Sequence, residues 1–211
     1  MLTRVWPGAM RPEWTLTVSG TGEPTRVEGL QAADDRQLVD ACLAGRRNAF
    51  DIIVERHQRH IYQLCYRFAA NHEDASDLAQ DVFVRAYRGL GGFKQQSAFS
   101  TWLYRIAVNV CLNRVSSKAP RLEVLDERHV DQRSERPDVT MIRNERDACV
   151  RAAIARLPPK QRATLILRIY HELPHEEIAG ILGSSVGAVK ANFFHALANL
   201  RKLLRDSVLV E

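Results

Sequence analysis

Apolar residues along this chain fall three and four apart rather than every second position. Phe50, Ile53, Val54, Ile61, Leu64, Cys65 and Phe68 keep to one side of a helix and predict one over 48–70. A shorter helix precedes it, starting at Asp34 or Asp35 as N-cap and stopping at Gly45. A third is expected over 73–88, before Gly89, Gly91 and Gly92 break the chain. A fourth, over 101–115 with Ser100 as its cap, carries Trp102, Leu103, Ile106, Ala107, Val110 and Cys111. In the second half a helix begins near Met141, runs through Cys149, Ile154 and Leu157, and ends at Pro158-Pro159. Helices over 159–170 and 175–182 follow, the latter stopped by Gly183. Ser185 caps a last helix over 186–205, whose apolar face is Val186, Val189, Phe193, Leu197, Leu200 and Leu204. No long stretch alternates with period two, so the fold class expected is all-α.

Two stretches lack periodicity. Residues 1–33 are rich in Gly, Pro, Thr and Glu and read as a flexible N-terminal extension. Residues 116–140 are polar, contain Pro120 and Pro137, and read as a flexible linker. The organisation expected is therefore two small helical domains, 34–115 and 141–207, joined by that linker.

Composition narrows the class. The chain has 211 residues, 45% of them hydrophobic and 26% charged, which excludes collagen, a mostly disordered chain and a disulfide scaffold. No apolar run approaches the roughly 20 residues of a membrane span. Residues 1–10 place Trp6, Pro7 and Gly8 where a secretory signal needs an apolar stretch. Cys42, Cys65, Cys111 and Cys149 form no CxxC pair and read as reduced thiols in a cytoplasmic protein. His57 and His60 near Cys65, and His171 near His175, lack zinc spacing, and Pro174 interrupts the second pair; no metal is expected. No catalytic constellation or nucleotide loop is readable, so neither an enzyme nor a cofactor or small-molecule substrate is expected.

Charge adds a partner class. The net charge is +5. Residues 46–115 carry ten basic and six acidic side chains, residues 141–207 eleven and six, and the connector between them is slightly acidic. Two basic modules suit contact with a polyanion.

The sharpest local pattern runs from Glu176 to Val189. A helix-turn-helix needs a small residue where its helices cross, and Ala179 supplies it; it needs a tight or left-handed turn four residues on, and Gly183 supplies that. Ile178, Leu182, Val186 and Val189 would lock the two helices. Beyond the turn, Ser184, Ser185, Gly187, Ala188, Lys190, Asn192 and His195 are the candidate contacts to duplex DNA. Small residues let a helix approach groove walls, Asn pairs with adenine, and Lys reaches guanine or phosphate. A hairpin packed for structure alone would share the turn but not the local basic balance.

The first module offers two candidate faces. Residues 74–87 form an amphipathic stretch, with Leu78, Val82 and Tyr87 toward one side and Asp77, Gln80, Asp81 and Val84 toward another. A carboxylate-rich stripe in a basic domain suits a basic protein partner; a merely solvated face would look the same. Residues 93–109 interleave aromatics with cations and amides. Aromatics stack on unpaired bases while cations track the backbone, and Arg105, Asn109 and Asn113 share one helical face. The plainer alternative makes Phe99, Trp102 and Tyr104 core, Trp102 first.

Taken in order, residues 74–87, 99–114 and 157–205 resemble the extracytoplasmic-function class of bacterial RNA polymerase sigma factors, over about 49–115 and 142–204. The resemblance implies a sigma region 2 domain, a sigma region 4 domain with a helix-turn-helix, and a flexible linker. It implies binding of core RNA polymerase through Asp77, Gln80, Asp81, Phe83 and Arg85, on a coiled coil of the largest subunit. It implies melting of the −10 promoter element by Phe93, Lys94, Phe99, Trp102, Arg105, Asn109 and Asn113, and reading of −35 duplex by the last helix. It implies an anti-sigma factor as regulator, possible tethering at the membrane only through that partner, and a nucleoid-associated location. Asn192, His195 and Leu197 stand where the family commonly has arginine, which implies fewer phosphate contacts. The rival reading is a stand-alone regulator with a response-regulator-type helix-turn-helix, but it needs alternating strands and helices in front, and residues 1–140 show none.

Overall fold

The computed structural model describes the backbone of residues 28–117 and 137–208 and the side chains of 30–115 and 146–206. Every long regular element among the described residues is α-helical: α1 (Glu28–Gln31), α2 (Asp35–Leu43), α3 (Asn48–Ala69), α4 (His72–Gly89), α5 (Phe99–Ser117), α6 (Pro137–Ala155), α7 (Pro159–Ile169), α8 (His175–Leu182) and α9 (Val186–Val208). None is long and apolar enough to cross a membrane. The all-α expectation is met.

Local chemistry accounts for most boundaries. Asp34 caps α2, its carboxylate accepting from the Gln37 N–H at 2.8 Å while the Gln37 side chain accepts from the Asp34 N–H. The chain leaves α2 through Gly45 at φ +88°, which only glycine adopts without strain. Asn71 caps α4, and Glu73 and Asp74 in its first turn complement the helix dipole.

Three boundaries differ from expectation. The extension over 1–33 is not irregular to its end, because α1 turns at Glu28–Gln31, buries Leu30 and passes the Ala33 carbonyl to Arg56 at 2.9 Å. Helix α5 starts at Phe99, so Ser100 lies inside it. Helix α6 starts at Pro137, a residue tolerated in a first turn, so 137–140 do not belong to the linker. The rest of the linker, 118–136, and residues 1–27 lie outside the described residues.

The first module is built on α3. Ile53, Ile61, Leu64 and Cys65 pack with Ala75, Val82 and Ala86 of α4 and with Leu103, Ala107 and Cys111 of α5, all essentially without solvent contact. Each isoleucine, leucine or valine among them contributes about 1.5–3 kcal/mol by leaving water. The Cys65 and Cys111 sulfurs meet at 3.8 Å inside this core, and that contact together with burial raises the Cys65 pKa. They act as small hydrophobes.

In the second module α9 packs on α6, α7 and α8. Its inward face runs Val189, Phe193, Ala196, Leu200 and Leu203. Ala196 is fully buried whereas Leu197 is 40% exposed, so the expected face is off by one residue there. Both follow Phe193 by a helical step, and the smaller side chain is the one that faces the core.

The modules meet along a seam between α5 and α8 and between the end of α3 and α7. Arg162 of α7 is 4% exposed and donates to the Phe68 carbonyl at 2.5 Å, at the negative end of the α3 dipole. Burial lowers its pKa, yet a guanidinium stays charged. Arg67 crosses in the opposite direction and lies 3.9 Å over the Tyr170 ring.

Candidate nucleic-acid interface

The turn between α8 and α9 has the geometry its sequence demands. Gly183 sits at φ +58°, the Ser184 N–H donates to the Ala179 carbonyl at 3.0 Å, and the Ser185 hydroxyl accepts from the Ala188 N–H at 3.2 Å. Ala179 is buried at the crossing and Ile178 is fully enclosed. This leaves Ser185, Gly187, Ala188, Lys190 and His195 exposed, with Asn192 half-buried. Ser184 does not join them: its hydroxyl oxygen is buried and without a hydrogen-bond partner. Phe194, which sequence reasoning passed over, is 69% exposed one turn beyond Lys190.

On α4 the outward stripe is Asp77, Gln80, Asp81, Val84, Arg85 and Tyr87. The Asp81 carboxylate is already held by Arg85 one turn on, with Nη2 at 2.9 Å, and that hydrogen bond raises the Arg85 pKa. Phe83 is excluded from this surface, being 7% exposed and part of the core. Tyr87, expected inward, is 51% exposed and meets Phe50 only at a ring edge, 4.9 Å between centroids. The stripe is thus acidic with an apolar border.

On and before α5 the candidates divide. Lys94, Arg105, Asn109 and Asn113 are exposed, the last three on one face as their spacing requires. Phe93 and Phe99 are buried, and with Trp102 they form an aromatic cluster whose centroids lie 5.1–5.6 Å apart. Trp102 is the half-exposed member, closing the cluster over Gly89. Of the three aromatics, Trp102 is therefore the one with ring surface open to solvent. Arg105 also donates to the Gly180 carbonyl on α8 at 2.5 Å, and the Tyr104 hydroxyl pairs with His171 Nδ1 at 3.1 Å.

Similarity to known proteins follows the same division. A family model described as Sigma-70 region 2 matches residues 53–121, and one described as Sigma-70 region 4 matches 147–200. The RNA polymerase sigma-H factor of Pseudomonas aeruginosa is 36% identical over 83% of this chain and 96% of its own length. The ECF RNA polymerase sigma factor SigW of Bacillus subtilis is 36% identical over 77% and 92%. This chain belongs to the extracytoplasmic-function class of RNA polymerase sigma factors. Among solved structures, CnrH, determined in complex with the cytosolic domain of CnrY, superposes with a TM-score of 0.60 at 26% identity, covering 82% of this chain and 97% of CnrH.

In this sigma factor the seam carries one titratable group with a clear consequence. Burial first, then the nearby His60 and Arg67, push His171 down to about 4. Its Nε2 is buried without a partner, and Tyr104 on α5 occupies Nδ1. Burial first, then Glu177 on α8, push the Tyr104 hydroxyl up to about 12. Unfolding returns His171 to an ordinary value near 6.5. The stability it contributes is therefore complete above pH 6.5 and lost as pH falls toward 4, by up to about 3 kcal/mol. Urea unfolding of the native chain and of His171→Phe at pH 7.5, 6 and 5 checks this: the native chain is expected to weaken more steeply. Equal slopes would acquit His171.

The contacts that sequence reasoning missed are those across the seam: Arg162, Arg67, His171 and Gly180. One signal was available, since a glycine inside a helix costs about 1 kcal/mol against alanine and marks a close approach.

Proposed function

We propose that this chain directs promoter-specific transcription initiation by binding core RNA polymerase, opening the −10 element with the first module and reading −35 duplex with α9. The observation that carries this is the helix-turn-helix, whose left-handed Gly183 leaves Gly187, Ala188 and Lys190 exposed at the start of α9. The acidic stripe of Asp77, Gln80 and Asp81 is the polymerase contact, docking on a basic coiled coil of the largest subunit. Lys94, Trp102, Arg105, Asn109 and Asn113 hold the −10 strand by stacking and phosphate contact. The domain assignment is 34–115 for polymerase and −10, and 141–207 for −35. The work is binding and strand selection in the cytoplasm, with no bond chemistry of its own. CnrH was solved bound to a protein, CnrY; we assign this chain a comparable protein regulator, an anti-sigma factor.

Run-off transcription with purified core polymerase on a pool of genomic promoter fragments tests the reading. Transcripts that appear only with this protein support it, and their aligned start sites give the promoter. Absence of transcripts together with absence of co-elution with core overturns it.

Lys190→Ala is expected to weaken −35 duplex binding uniformly across sequences, lowering the salt slope by about one. Anisotropy titrations over a salt series measure this, and a loss confined to one base position would make Lys190 a reader instead. Because Asn192 and His195 supply no fixed cation, the total slope should be small.

A further inference from the structure

Phe93 and Phe99, buried in the aromatic cluster with Trp102, fix the two ends of a short segment before α5. Between them Lys94, Gln96, Ser97 and Ala98 are exposed. At the middle Gln95 stands at φ +55°, a conformation that residues other than glycine rarely adopt. Ala70 shares that region of φ, but it closes α3 with its N–H on the Tyr66 carbonyl, whereas Gln95 ends no helix. The support for Gln95 comes from 55 residues away: its Nε2 donates to the Asp40 carboxylate of α2 at 2.7 Å. We propose that Asp40 is a positioning residue for −10 recognition, holding residues 94–98 through Gln95 in the shape that meets the strand. This rests on the −10 reading above and adds the element that shapes that site.

Helix α2 suits the task because it is itself fixed. Leu38 and Val39, just before Asp40, are fully buried. The Asp35 carboxylate pairs with Arg56 Nη1 at 2.6 Å and with His57 Nε2 at 2.8 Å, tying the start of α2 to α3. The His57 ring lies in turn 5.6 Å from that of Phe99, the far anchor of the segment. Helix α2 therefore supports the segment at its middle directly and at its end through His57.

The charge of Asp40 makes the role testable by sign. A carboxylate beside a strand-binding segment repels phosphate, so on charge alone its removal would tighten DNA binding. Positioning requires the opposite. A segment pre-set in its bound conformation loses less freedom on binding. Without Asp40 the left-handed Gln95 relaxes to an ordinary φ and carries Lys94 out of place.

The test uses the full chain assembled with core polymerase and a fluorescent single-stranded oligonucleotide carrying the −10 sequence given by the run-off start sites. Asp40 is exposed, so its truncation spares the core. Asp40→Ala is expected to bind the oligonucleotide about fivefold more weakly than the native chain, with an unchanged thermal melt. Asp40→Asn, whose side-chain oxygen still accepts from Gln95, is expected to recover most of that loss. In a Gln95→Gly background, where the left-handed turn needs no support, Asp40→Ala is expected to cost nothing further. Equal or tighter binding by Asp40→Ala, no recovery with Asp40→Asn, or the same fivefold loss in the Gln95→Gly background overturns the proposal alone. A native chain that yields no transcript, or does not bind the oligonucleotide, defeats the −10 reading and the proposal with it.

Discussion

An Asp81→Arg variant is expected to lose core polymerase binding by about a hundredfold or more while keeping its fold. The carboxylate is the centre of the acidic stripe on α4, and placing a cation against a basic partner costs several kcal/mol. A change of about 2.8 kcal/mol already corresponds to a hundredfold in affinity. The fold is spared because the buried side of α4, made of Ala75, Leu78, Ala79, Val82, Phe83 and Ala86, is untouched. Losing the exposed Asp81–Arg85 pair, and setting two arginines one turn apart, costs only about 0.5 kcal/mol. Titration of labelled protein with core polymerase, alongside a thermal melt, measures both quantities. Unchanged affinity in a folded variant would remove α4 from the interface.

The second large effect is expected of Ile178→Ala. Ile178 is fully buried where α8 meets α7 and α9. Truncating such a residue costs about 2–5 kcal/mol through lost transfer energy and the cavity left behind. A module of this size rarely holds more than about 3–5 kcal/mol. The helix-turn-helix should therefore melt at ambient temperature, with −35 binding lost and a partial loss of helical circular dichroism. Polymerase binding through α4 should survive, because the first core is assembled on α3. A single transition that removed polymerase binding as well would mean the two modules fold as one unit, coupled through the seam.

How legible the molecule was depended on the range of the interaction. The Asp34 cap, the Gly183 turn and the Ser185 cap were readable because each is satisfied by residues within about one helical turn. Ser100 was misread as a cap for a related reason: the three residues before it, Ser97, Ala98 and Phe99, offered a rival start, and Phe99 joined the helix once its ring had neighbours in Phe93 and Trp102. Rotation about a helix axis was less legible. Ala196 and Leu197 both follow Phe193 at a helical step, and the choice between them belonged to the helices that α9 packs on. Phe93 and Phe99 looked like contacts because aromatics near cations suit nucleic acid, and Phe83 because the family resemblance put it on the polymerase surface, but all three are buried, since a large ring gains more from a core than from water.

By itself, then, the sequence determined the helices, the turn that makes α8 and α9 a reading unit, and the acidic and basic stripes, because all of these follow from spacing and local capping. Only the tertiary structure decided which side of each helix is available. It also decided that Arg105 meets Gly180, 75 residues away, and that Arg162 ends in the carbonyls of α3. Contacts of that separation leave no periodic trace, because nothing in either helix alone specifies the surface it will meet.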